Sequence, residues 1–263
     1  MKKLLLILLC LPFVVLAQQT YVPDDDFEQS LINLGLDNVL DDSVLTSAID
    51  TVSELHLGFF ISNIYDLTGI EDFNSLKELT IWYQYLTTLD VSQNIILESL
   101  NCTGNQLTSL DVSNNIALVS LVCAENQIAS LDVSNNLSLN ELDCGGNQLT
   151  ILDVSQNTDL ILLDCRNNDN LTILDVRNGN NTNFFIFCCS SNLNLSCINV
   201  DNVAWSTANW TVANVNPHPP PVIPGIDSHH YFSNNCPPPS AIQEHATNKE
   251  LLKVTDLLGR ETK

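Results

Sequence analysis

Residues 86–106 read LTTLDVSQNIILESLNCTGNQ, and three near-copies follow without a gap: LTSLDVSNNIALVSLVCAENQ at 107–127, IASLDVSNNLSLNELDCGGNQ at 128–148 and LTILDVSQNTDLILLDCRNND at 149–169. A fixed period of 21 residues means stacked units, none of which can bury its apolar face alone. Leu100 and Cys102 are two apart, as are Leu121 and Cys123, Leu142 and Cys144, and Leu163 and Cys165. That spacing puts each pair on the inward face of a short strand, with the flanking residues facing outward. Asn105, Asn126, Asn147 and Asn168 follow at a turn, where a short amide can satisfy backbone groups of the neighbouring coil. Leu-Asp-Val at 89–91, 110–112, 131–133 and 152–154 forms a second inward segment on the return side, and the Ser-x-Asn after it turns the chain back.

The recurring L-x-x-L-x-C-x-x-N-x-L is the leucine-rich-repeat signature with cysteine at its last apolar strand position. The expected fold is therefore an α/β-type repeat solenoid: a right-handed coil with a parallel sheet on the concave face and few or no regular convex helices. Leu76-x-x-Leu79-x-Ile81 and Val52-x-x-Leu55-x-Leu57 extend the register upstream. Phe184-x-x-Phe187-x-Cys189-x-x-Asn192 extends it downstream after a small insertion, and Leu195-x-x-Ile198-x-Val200 repeats the return side. This gives about seven strands from Leu55 to Phe187, within a repeat region set at 52–203.

Terminal coils need covers. Asp24-Asp25-Asp26 before Phe27, Leu31 and Ile32, with a stop at Gly35, predicts an amphipathic helix, and a second short helix is expected near Ser43 to Ala48. Together they make a helical N-cap over 18–51. Residues 204–238 read as a C-cap loop, because Pro217, Pro219, Pro220, Pro221 and Pro224 forbid regular structure in the middle. Residues 239–263 complete the chain as a linker and tail.

The first 17 residues read as a signal peptide: Lys2 and Lys3, an apolar run Leu4 to Leu16, and Val15-Leu16-Ala17 before Gln18. No apolar stretch is long enough for a membrane span. The mature chain is thus expected to be exported and monomeric, in a compartment that permits disulfides. The formal charge is -22, and removing the leader leaves 31 acidic residues against seven basic ones. No lysine or arginine occurs between Lys77 and Arg166. Such a body repels phosphate backbones and argues against nucleic acid.

On these residues the chain resembles a known group. LDVSxN followed by LxxLxCxxNQ is similar to the cysteine-ladder repeats of internalin-J-like bacterial surface proteins. The opening Tyr21-Val22-Pro23-Asp24-Asp25-Asp26-Phe27-Glu28-Gln29 and the closing Cys197-Ile198-x-Val200-Asp201 with Trp205-Ser206-Thr207-Ala208-Asn209-Trp210 resemble caps of such proteins in Gram-negative bacteria with type IX secretion. The resemblance covers roughly residues 18–236. Lys249 to Glu261, ending in Leu258-Gly259-Arg260-Glu261, resembles the front half of a type IX sorting domain, so a truncated sorting-domain-like tail is expected over 239–263. The resemblance implies a secreted or outer-surface recognition module of a Gram-negative bacterium. It would bind a protein or, alternatively, a glycan as an adhesin or accessory of polysaccharide use.

The five ladder cysteines Cys102, Cys123, Cys144, Cys165 and Cys189 are expected to form a buried row of thiols, since side chains stacked in parallel about 4.8 Å apart make poor bridges and cannot converge on zinc. Cys197–Cys236 is the expected disulfide, with Cys188 as an alternative partner of either and otherwise facing outward. Asp90, Asp111, Asp132, Asp153 and Asp175 repeat on the return side, where they can hydrogen-bond turn amides or hold Ca²⁺. His56, His218, His229, His230 and His245 accompany no nucleophile motif, so no catalysis, metal or cofactor is expected. The outward strand positions form the expected concave binding face: Thr80, Trp82, Asn101, Thr103, Val122, Ala124, Asp143, Gly145, Asp164 and Arg166. Trp82, Tyr83 and Tyr85 put aromatics where other repeats carry polar residues, either as anchors or packed against the N-cap.

Overall fold

A computed structural model describes residues 18–58, 63–211 and 225–238. The leader, most of the proline-rich excursion, the sorting-domain-like tail, His218 and His245 lie outside the described residues.

The N-cap begins with β1 (Gln19–Tyr21), which pairs antiparallel with β2 (Ser43–Leu45). Between them runs α1 (Asp25–Asn33). Asp24 caps it, one carboxylate oxygen accepting Asp26 N at 3.1 Å and Phe27 N at 2.9 Å, which satisfies two of the orphan donors of a first helical turn. The other oxygen accepts Tyr65 N and Asp66 N, so the same residue ties the helix to the first coil. Gly35 ends the helix at φ +75°, with Gly35 N on Ile32 O and Leu36 N on Leu31 O, a reciprocal pair that a left-handed residue permits. Phe27 and Leu31 are buried, Phe27 stacking on Phe73 of the solenoid at 6.5 Å.

The second cap helix is shorter than its sequence suggested. Ser43–Leu45 is strand, and only Thr46–Ile49 forms α2. The cause is the buried Glu28, whose carboxylate accepts the N–H groups of Asp41, Asp42 and Ser43. It holds that segment extended against β1.

Seven parallel strands then stack in one sheet: β3 (Glu54–Leu57), β4 (Glu78–Ile81), β5 (Ser99–Asn101), β6 (Ser120–Val122), β7 (Glu141–Asp143), β9 (Leu162–Asp164) and β11 (Ile186–Cys188). Leu55, Leu79, Leu100, Leu121, Leu142, Leu163 and Phe187 are register partners, all buried. Among the described residues this sheet runs from β3 to β11. After each strand from β4 on, one residue takes positive φ: Tyr83, Gly104, Glu125, Gly146, Asn167 and Ser191. The asparagine that follows, or Gln84 after Tyr83, locks the turn. Asn126 Nδ2 donates to Cys102 O, Cys123 O and Ala124 O, while its Oδ1 accepts Leu107 N at 3.0 Å. Asn105, Asn147 and Asn168 repeat this. A second ladder, Asn94, Asn115, Asn136 and Asn157, closes the opposite turn with two Nδ2 bonds each.

The return side changes character along the chain. The early Leu-Asp-Val segments are not strands, whereas β8 (Ile151–Asp153), β10 (Ile173–Asp175), β12 (Cys197–Asn199) and β13 (Tyr231–Ser233) form a second parallel sheet. Leu152, Leu174, Ile198 and Phe232 share its register. The C-cap is more ordered than a loop. Asn202 Oδ1 accepts Trp205 N and starts α3 (Val203–Asn209). Trp210 then stacks on Phe187 at 4.1 Å and meets Phe184, Trp205 and Phe232 edge-on or tilted. This aromatic cluster covers the last coil. The expected disulfide Cys197–Cys236 is present, with Cα atoms 5.8 Å apart.

Candidate binding face

The positions assigned to the outward face divide by burial. Thr80, Trp82, Asn101, Thr103, Val122, Ala124, Asp143 and Arg166 are half-buried on the outward register. Gly145 and Asp164 share that register but are buried. Gly145 has no side chain to raise above its neighbours. A Cβ there would meet Arg166 O at 3.3 Å and Asp143 Oδ1 at 3.4 Å. Asp164 is covered by its own partner, for the Arg166 guanidinium donates to it through both Nε and Nη2.

At the other end, Trp82 lies across Gly58, where a Cβ would come within 2.2 Å of Cδ1. Only glycine, here at φ +120°, fits beneath that ring. Tyr83 lies across Gly104 in the next coil in the same manner. Tyr85 stacks on Tyr65 with centroids 5.2 Å apart, and Asp24 of the N-cap holds the Tyr65 amide. Tyr85 is thus linked to the N-cap through Tyr65, and Tyr65 and Tyr83 stay more than 60% exposed.

Asp143 on the sheet and three aspartates of the return side are shifted in opposite directions. On the return side Asp90, Asp111, Asp132 and Asp153 each accept the N–H of the serine two residues on. Hydrogen bonds from those serines hold Asp90, Asp111 and Asp132 below the usual carboxylate range. The turn-amide reading thus accounts for this ladder; Asp175 accepts the Arg177 N–H in the same way and takes the Arg177 side chain as well. On the seven-stranded sheet, burial and the neighbouring charge of Asp164 push Asp143 up to about 6.

The ladder cysteines are buried free thiols, and burial raises Cys102 to about 12. Cys188 is also free. Its register partner is Asp164, so it lies on the outward side as expected, but it is only 5% exposed. Burial raises its thiol to about 11.

Two further groupings have the residue types of chemistry. Cys189 Sγ lies 3.8 Å from His230 Nδ1, and His230 Nε2 lies 3.6 Å from Asp227 Oδ2. The order is that of a nucleophile, base and orienting acid, but the Cys189 sulfur sits in the core ladder, beyond reach of a substrate. Asp227, His229 and His230 also bring three donor atoms within 4.8 Å. Asp227 N donates to His230 Nδ1, so the proton sits on Nε2 and that lone pair is unavailable to a cation. His56 stands between Glu54 and Glu78 at 3.9 Å from each, on the outward face of β3 and β4. A polar cavity of about 700 Å³ on the return side is lined by Asp66, Thr68, Glu71, Asp90, Ser92 and Asp111.

No family model and no curated protein matches the chain. Among solved structures it is similar to the functional domain of InlJ from Listeria monocytogenes, described as including a cysteine ladder, at 34% identity and a TM-score of 0.56. That likeness covers 70% of this chain and 38% of the InlJ domain, so the chain spans well under half of that relative. Internalin C2 from L. monocytogenes str. 4b F2365 matches over 73% of this chain and 84% of its own at 17% identity and a TM-score of 0.53, a likeness of fold. Among the described residues no helix is long and apolar enough to cross a membrane. With its parallel sheets, asparagine turns and row of buried thiols, the chain is a leucine-rich-repeat solenoid with an internalin-like fold.

Proposed function

We propose that this chain is an exported recognition module that binds a protein partner through the outward face of its seven-stranded sheet. The observation that carries the reading is the rigidity and shape of that face. Every strand is register-locked to its neighbours. Small side chains (Asn101, Thr103, Val122, Ala124) form a floor between Trp82 at one end and Asp143 with Arg166 at the other. A preorganised surface of this kind loses little entropy when a partner docks. The leader-like residues 1–17 support export, and the likeness of the repeats to internalin J supports a place at a bacterial surface. We further propose that export follows a Gram-negative type IX route and that the module serves adhesion.

The test is capture of partners from the native surroundings by the mature chain, repeated with Thr103→Arg and Ala124→Arg. Both positions are half-buried on the floor, and neither is a residue of the buried core. At least tenfold weaker capture with Tm changed by less than about 2 °C is expected. Undiminished capture by both variants sinks the concave-face reading.

A second reading, glycan binding, is favoured by one observation. Tyr65 and Tyr83 expose broad aromatic faces, on which sugar rings can stack. A glycan array on the mature chain and on Tyr83→Ala checks it; no hit on either removes it.

A further inference from the structure

We propose that the outward face of the seven-stranded sheet takes a basic protein segment, presenting lysine or arginine to Glu141 and Asp143 at one end and to the Trp82 indole at the other. The inference rests on the concave-face reading and names the chemistry of its partner.

Charge is the first support. The outward positions carry Glu54, Glu78, Glu141, Asp143 and Asp164, and Arg166 is the permanent cation among them. That cation is closed on Asp164, so it offers little to an acidic partner. The whole chain is acidic, and sign alone would not single out this face. What separates it from the return side is how its carboxylates are satisfied. Asp90, Asp111 and Asp132 are stabilised as anions by their serines. Asp143 accepts one backbone N–H, from Gly145 at 3.0 Å, and faces Asp164 on the next strand. The folded protein holds it as an anion short of counter-charge, a cost that a bound cation relieves.

Dimensions are the second support. From β4 to β9 there are four strand intervals, about 19 Å at sheet spacing. That is the length of about six extended residues. A segment laid across the strands would span from Trp82, where a guanidinium or ammonium can stack on the indole, over the small floor, to the carboxylates.

The experiment titrates the full chain with a twelve-residue lysine-rich peptide and its fully acetylated form, by fluorescence anisotropy at about 50 and 200 mM salt. Saturable binding of the first form and at least tenfold weaker binding of the second are expected. Glu141→Gln with Asp143→Asn should weaken binding at least fivefold, while Asp90→Asn with Asp111→Asn, the same charge change on the return side, should alter it less than twofold. Equal losses from both pairs would mean bulk charge only and overturn the inference. So would no binding of the basic peptide, or binding confined to neutral glycans. If captured native partners depend on Thr103 and Ala124 but not on Asp143, the concave-face reading stands and the basic-segment inference falls. If capture ignores Thr103 and Ala124 as well, both fall.

Discussion

Asp143 and Asp164 are register partners on adjacent strands of the concave sheet, and the Arg166 guanidinium closes on Asp164 alone. Two anions thus share one counter-ion at a partly desolvated place. The shift falls on the unpaired member, which is pushed up to about 6.

For a carboxyl raised in the folded state the sign is the reverse of an ordinary salt-bridged acid. The ionised form is penalised above its folded pKa, and stability is gained as pH falls from about 7 through 6 toward the ordinary carboxylate value. Beyond burial, Asp164 and Glu141 raise this group, while the Gly145 N–H and Arg166 lower it. Asp143→Asn should raise stability at pH 8 by about 1–3 kcal/mol and change nothing below about pH 4. Chemical denaturation at the two pH values checks it. A destabilised variant at pH 8 would mean that Asp143 has a partner.

The two asparagine ladders should respond unequally to truncation. Asn126 fills both halves of its amide, donating to three carbonyls and accepting Leu107 N. Asn136 donates to Val112 O and Asn115 O, but its buried Oδ1 has no partner. Asn126→Ala strands a buried backbone N–H as well as the carbonyls and should cost about 3 kcal/mol. Asn136→Ala should cost about 1 kcal/mol less, since no donor is orphaned. Urea midpoints rank them; a larger loss at Asn136 would contradict the hydrogen-bond assignment.

Repeat and register were legible in the sequence because each coil must satisfy the same stacking geometry, so errors at one position would be corrected by the next. The ends were less legible for the same reason. Nothing periodic marks Glu28, which reaches thirteen to fifteen residues along the chain to hold Ser43 extended. Nor did the proline-rich context suggest α3, although Asn202 three residues before Trp205 was a capping signal that could have been read. Period alone selects the outward register, but it cannot say that Arg166 would cover Asp164 or that Gly145 would lie beneath its neighbours. Those depend on side chains meeting across coils.

The thiol ladder gives a redox prediction. Among the described residues six cysteines are free and buried, and desolvation raises the ladder thiols well above their ordinary value. The thiolate is the reactive form, so the folded chain from Gln18 on should resist iodoacetamide at pH 8 and gain six alkyl groups only on unfolding. Cys188 should lead the reaction, being the least enclosed of the six. Rapid labelling of Cys144 in the folded state would show that the coils open independently.

The C-cap should be the part of the solenoid that acid loosens. His230 is fully buried as a side chain, accepts Asp227 N on Nδ1, and has Nε2 without a partner. Burial, then the nearby His229, lowers its pKa, against a smaller opposing pull from Asp227. Cys189 and Asn192 complete its surroundings. A histidine lowered in the folded state contributes stability above its unfolded pKa, near 6.5, that is lost as pH falls toward the folded value. Protonation would place a second hydrogen on Nδ1, facing the Asp227 N–H, and break that contact. The Cys197–Cys236 bridge closes over this segment, and a loop of this length contributes about 4 kcal/mol by restricting the unfolded chain. Reduction of that bridge should therefore expose the acid sensitivity. Protection against hydrogen exchange at β13, taken relative to the intrinsic rate at each pH, should fall between pH 6.5 and 5 in the Cys236→Ala chain and far less in the oxidised one, with protection in β5 to β7 unchanged in both. A uniform fall in protection along all coils would show that the cap and the repeats unfold as one unit.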